Sequence, residues 1–177
     1  MSFGDIAMEL KENNSKSHIL WCLKQKKGIK LEEPNNDLCL VYVNKAKSAL
    51  NMLSSAIEKN EMDWIVTTAY YARYFAFYAI LQRCGIKCEI HDCTISLMKL
   101  LFVEDNRIEE KYHAELQSAK SLRVDIQYYF ADNIDIAKLK LGAETAQDFV
   151  LKMEEFIENL CEEEIKKILI KLNNSVL

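Results

Sequence analysis

Apolar residues are densest between Trp64 and Leu81, where they occupy nearly every face a helix can offer. Ala69, Ala72, Ala76 and Ala79 recur at helical spacing and form a seam of small side chains, where a neighbouring backbone can approach closely. Tyr70, Tyr71, Tyr74, Phe75, Phe77 and Tyr78 flank that seam, so the pattern predicts a helix covered on most sides. It runs from Asp63, as its N-cap, to about Cys84, with Gly85 as the stop. Upstream, Tyr42, Ala46, Ala49, Leu50, Leu53, Ala56 and Ile57 lie on one face of a second helix, capped by Asn36 or Asp37 and ending near Lys59. The connection between the two is short, which predicts antiparallel neighbours.

The same pattern, read outwards, gives the remaining elements. A first helix over Ser15 to Lys27 carries Ile19, Trp21, Cys22 and Leu23 and ends at Gly28. Lys24, Lys26, Lys27 and Lys30 cluster at that end, where cations favour a helix C-terminus; phosphate binding is the sharper reading of the same cluster. Glu32 to Asn36 reads as a polar linker. A helix over Thr94 to Phe102 is followed by the break Glu104-Asp105-Asn106. The next spans Arg107 to Phe130, with Leu116, Ala119, Leu122, Val124 and Ile126 as its apolar positions, and breaks at Asp132 to Asp135. A last long helix is predicted from Ile136 to Leu172, with a near-heptad seam from Ala146 to Leu160 that Glu162-Glu163-Glu164 interrupts. The expected fold is an all-α antiparallel bundle of about five to six helices. Residues 1–35 are expected to form an N-terminal helix and linker packing on a bundle of residues 36–177.

Composition sharpens this picture. The 177 residues are half hydrophobic, with one proline and four glycines, which suits helices and argues against an all-β chain. The net charge of -4 argues against broad, sequence-independent nucleic-acid binding and leaves room for a local basic patch. Met1 to Asn14 has no secretory pattern, and the Trp64–Leu81 run contains Arg73 and four tyrosines, so neither export nor a membrane span is expected. The chain is expected to be cytoplasmic, with all six cysteines reduced.

Candidate chemistry is sparse. There is no phosphate loop, no Gly-rich dinucleotide turn and no serine nucleophile motif, and no cofactor is expected. Cys84, Cys88, His91 and Cys93 cluster in sequence, but their spacing is not a common zinc pattern; packing under the turn is the favoured reading over metal binding. Cys22, Cys39 and Cys161 form no motif. The paired carboxylates Glu109–Glu110 and Glu162–Glu164 read as solvated helix faces.

Five features taken together resemble the HEPN family (higher eukaryote and prokaryote nucleotide-binding domain). They are Tyr70-Tyr71-Ala72, the turn from Gly85 to His91, Leu122-Arg123 with Asp125 and Tyr128-Tyr129, the apolar helix from Ala146 to Phe156, and the N-terminal Trp21-Cys22-Leu23-Lys24 through Gly28-Ile29-Lys30-Leu31. The last looks like an extension found on some prokaryotic members. The resemblance implies a helical bundle that pairs into homodimers, often encoded beside a nucleotidyltransferase and acting as the toxin half of a toxin–antitoxin pair. Active members are metal-independent endoribonucleases with an Arg-x(4–6)-His motif. An Arg holds the scissile phosphate, and a His moves a proton at the ribose or the leaving oxygen.

This chain departs from that motif. Arg123 is present, but Tyr128 stands at the expected His position. Two other pairs come close: Arg83 with His91, one residue too far apart, and Arg107 with His113, correctly spaced but upstream of the family position. His91 reads more simply as a turn cap, His18 and His113 as surface residues, and Arg123 with Asp125 or Tyr128 equally as a structural network or a ligand site. The reading is therefore a non-catalytic or weakly catalytic, nucleotide- or RNA-associated binding subunit, with a nucleotidyltransferase as candidate partner. The alternatives are an endoribonuclease toxin and a structural protein–protein interaction bundle.

Overall fold

A computed structural model describes residues 16–128 and 136–175, with side chains described from 142 onwards in the second stretch. Met1 to Asn14, Tyr129, Phe130 and the polar break Asp132–Asp135 lie outside the described residues. The described residues form seven helices: α1 (residues 16–24), α2 (Asn36–Glu58), α3 (Met62–Arg83), α4 (His91–Met98), α5 (Glu110–Tyr128), α6 (Ile136–Asn159) and α7 (Glu162–Asn174). A π-helical segment, Lys99–Val103, continues α4.

The α2–α3 hairpin is the frame. Asn35, one residue before the expected cap, accepts a hydrogen bond from the Leu38 amide at 2.9 Å. Cys39, Val43, Ala46, Leu53 and Ala56 bury one face of α2. The helix α3 shows no such face, because α2, α5 and α6 all pack against it. Ala69, Ala72, Ala76 and Ala79 are all buried, so the alanine seam lies inside the bundle. Glu61, not Asp63, occupies the α3 N-cap, without a side-chain bond; Asp63 sits in the first turn, where its charge still favours the helix dipole. At the other end Gly85 adopts φ +72°, and an added Cβ would meet the Glu32 carbonyl oxygen at 2.4 Å.

That close approach exists because the N-terminal segment folds back over the α3–α4 turn. Two-residue strands β1 (Lys30–Leu31) and β2 (Ile86–Lys87) pair antiparallel, and the Glu32 amide donates to the Gly85 carbonyl at 2.8 Å. Ile19, Cys22 and Ile29 are fully buried in the same apolar cluster as α3. Lys27 and Lys87 of this region pair with Glu89 and Glu32, so part of the predicted basic cluster is neutralised.

The predicted last helix is two helices. Leu160 and Cys161 separate α6 from α7, and Glu162, Glu163 and Glu164 form the first turn of α7. Three carboxylates suit a helix N-terminus far better than a helix interior, which is the physical reason for the break. Ile165, Ile168 and Leu172 then turn inwards to the main core cluster. Among the described residues, no helix is long and apolar enough to cross a membrane.

Candidate functional site

Three helices deliver polar groups to one aromatic cluster. The buried Tyr70 and Tyr74 and the half-buried Tyr71 come from the middle of α3. His91 is the first residue of α4, and Arg123 projects from α5. The His91 ring stacks on Tyr74 with centroids 4.2 Å apart, and its Nδ1 lies 2.5 Å from the Tyr70 hydroxyl. The Arg123 guanidinium lies 5.2 Å from the Tyr70 ring centroid and 5.7 Å from that of Tyr71, and Nη1 donates to the Tyr71 hydroxyl at 3.4 Å. Arg123 Nε is buried and has no hydrogen-bond partner among the described residues.

The charge states follow from the packing. Burial pushes the Tyr70 and Tyr74 hydroxyls well above the ordinary tyrosine range, so both stay protonated. Burial, and then the positive charges of Arg123 and Lys120, hold His91 below its ordinary value; Asp92 opposes them. The imidazole is therefore neutral near pH 7. The Tyr70 hydroxyl fixes the orientation of the ring through Nδ1. Lys120 and Asp92 form an ion pair at the edge of this cluster. The site thus holds one guanidinium, one neutral imidazole and a peripheral ion pair over a tyrosine bed.

The other predicted pairings do not form. Tyr128, with 72% of its surface exposed, and Asp125 both face solvent. Residues five apart point about 140° apart around a helix, so family spacing alone does not bring Arg123 and Tyr128 together. Arg83 lies in the last turn of α3, about 20 Å along the helix from Tyr70, where it acts on Cys39 and Cys84. Arg107 pairs with Asp105 and with Glu164 of α7. His113 is buried, not on the surface, and lines a polar cavity with His18, Lys99 and Lys120. His18 is likewise held in place, 2.8 Å from the Ser96 hydroxyl.

The four-residue metal candidate is also dispersed. Burial pushes the Cys84 thiol up to about 12, Cys88 directs its sulfur to the Ile90 carbonyl, and His91 faces Tyr70. Cys93 is bonded to Cys22, which corrects the expectation that all six cysteines are reduced. Nothing in the spacing of Cys22 and Cys93, 71 residues apart, announces that pair.

Residues 40–168 match the HEPN domain family. The chain belongs to the HEPN family. No curated protein matches it. Membership supports a nucleotide- or RNA-associated role in broad terms. On this HEPN bundle, the sequence nominated Arg123 and His91 separately and missed Tyr70, Tyr74, Lys120 and Asp92 as their neighbours. The Tyr-Tyr-Ala match was the available signal, since it placed Tyr70 on the central helix.

A different arginine, the buried Arg73, serves the frame. Its guanidinium donates to the Ala69 carbonyl at 3.0 Å, the Gly142 carbonyl at 2.6 Å and the Thr145 hydroxyl at 2.7 Å, tying α3 to α6. Glu115 of α5 lies 3.6 Å from its Nε beside a cavity of about 300 Å³.

Proposed function

We propose that the protein is a HEPN-type RNA- or nucleotide-associated binding subunit in which Arg123 receives a phosphate. The observation that carries this reading is the convergence of Arg123 and His91 on Tyr70, with Lys120 close by and Arg123 Nε lacking a partner among the described residues. A guanidinium set beside two tyrosine rings, 5.2 and 5.7 Å from their centroids, is pre-organised for a phosphate oxygen. Net negative charge elsewhere suits a local site rather than a broad nucleic-acid surface.

The subunit acts as a homodimer alongside a nucleotidyltransferase partner, as the family resemblance implies. An exposed groove between α2 and α3, lined by Met52, Trp64, Tyr71 and Phe75, supports the dimer. Trp64 is 60% exposed and Met52 56%, which is costly for an isolated chain. Tyr71 belongs to both the groove and the Arg123 cluster, so a second copy seated in the groove borders the site.

A second reading, a metal-independent endoribonuclease, is favoured by one observation: a neutral imidazole shares the aromatic cluster with Arg123. Native purification followed by mass spectrometry tests the first reading. Co-purifying nucleotide or RNA that disappears with Arg123→Ala supports it; equal recovery from both proteins contradicts it. Cleavage of RNA in the presence of a chelator, lost with His91→Ala, would establish the second.

A further inference from the structure

The Cys22–Cys93 bond joins α1 to the first turns of α4, and a histidine stands beside it. His18 and Cys22 are four residues apart on α1, so their side chains share a face. His18 Nε2 lies 3.9 Å from Cys22 Sγ, and the ligand atoms of His18, Cys22 and Cys93 all lie within 4.8 Å of one another. The other ring nitrogen, Nδ1, is 2.8 Å from the Ser96 hydroxyl. Metal-bound histidines show this arrangement, with the outer nitrogen fixed by a neighbour and the inner one free to coordinate.

We propose that reduction of the Cys22–Cys93 disulfide converts His18, Cys22 and Cys93 into a binding site for a thiophilic divalent cation, zinc above all. The two sulfurs then serve either as a disulfide or as metal ligands, never both. Reduction consumes two equivalents of a cellular thiol, which leave as their own disulfide, and yields two Cys thiols. Cation binding then displaces the two thiol protons to solvent.

Geometry and charge both suit zinc. Bonds of about 2.3 Å to sulfur and about 2.0 Å to nitrogen place tetrahedral ligand atoms roughly 3.5–3.8 Å apart. The His18–Cys22 separation is already close to that, and the Cα atoms of Cys22 and Cys93, 5.8 Å apart, leave room for the sulfurs to part by side-chain rotation. Two thiolates and one imidazole select a borderline-soft ion over magnesium or calcium. Lys99 and Lys120 line the neighbouring cavity, but two thiolates with one dication carry no net charge, so the lysines do not repel the occupied site. That cavity, about 320 Å³ and lined also by Asp92 and His113, reaches His18 and gives a cation its path and a fourth ligand its space.

The test uses the full chain, reduced with a phosphine, freed of reductant without oxygen, and titrated with Co²⁺. The expected result is one Co²⁺ per chain, with thiolate charge-transfer and tetrahedral d–d absorption that Zn²⁺ abolishes. Untreated, disulfide-bonded protein should give neither band. His18→Ala, which leaves the disulfide intact as a folding aid, should weaken Co²⁺ binding in the reduced protein at least tenfold, and Cys161→Ser should leave it unchanged. Folded, reduced protein without these bands would overturn the proposal. So would bands that persist at full strength in His18→Ala or vanish in Cys161→Ser.

Discussion

His91 and Arg123 reach Tyr70 from different helices, and this meeting sets how each responds to pH and mutation. His91 and His113 are both held below the ordinary imidazole value of 6.5, first by burial and then by cations: Arg123 and Lys120 at His91, Lys99 at His113. Asp92 and Glu110 oppose the shift only partly. The sign follows directly. The unfolded chain takes up protons at these residues at higher pH than the folded one, so folded-state stability is complete above about pH 6.5 and falls as pH drops towards the folded-state values. Urea midpoints should therefore decrease between pH 7.5 and pH 5.5, and His113→Gln should flatten that decrease. A midpoint that rises on acidification would contradict the burial of both rings. Tyr128 faces solvent, so Tyr128→His should leave RNA cleavage unchanged, although it restores the family spacing on paper. A gain of chelator-resistant cleavage in that variant would return the site to α5 alone.

Ala72 and Ala76 are buried between α3 and its neighbours. Leucine at either position should lower stability by roughly 1–3 kcal/mol through overpacking, read as a shift in the urea midpoint. An unchanged midpoint in both variants would mean that the seam has slack. Gly85→Ala should also destabilise, because positive φ and the Glu32 carbonyl at 2.4 Å both exclude a side chain. Loss of the Lys30–Lys87 pairing, followed by amide exchange, is the accompanying sign. These features were legible in the sequence: helical spacing of alanines reports a close interface, and Gly after an apolar helix reports its end. The α6–α7 break is half legible: the acidic triplet interrupts the apolar seam, but the seam alone does not show that a new N-terminus starts there. The Arg123–His91 meeting was not legible, because local spacing says nothing about which helices cross. The Cys22–Cys93 bond was hidden for the same reason: nothing in the local spacing of α1 says that it packs against α4, where His18 also meets Ser96.

For the whole molecule, family membership and the apolar α2–α3 groove lead to one expectation: two chains associate through Trp64 and Met52. Light scattering at micromolar concentration should give twice the chain mass of 20.6 kDa, and Trp64→Glu should return it to one. A wild-type monomer would remove the dimer from the account and leave the Arg123 cluster untouched. Fluorescence anisotropy of a short labelled single-stranded RNA measures whether Arg123 receives a phosphate on the tyrosine bed. Losing one charge-assisted phosphate contact costs about 1.5–3 kcal/mol, so Arg123→Ala should weaken binding by roughly 10- to 100-fold while Arg83→Ala, far along α3, has no effect. Equal affinity for wild type and Arg123→Ala, or a loss confined to Arg83→Ala, would contradict the account.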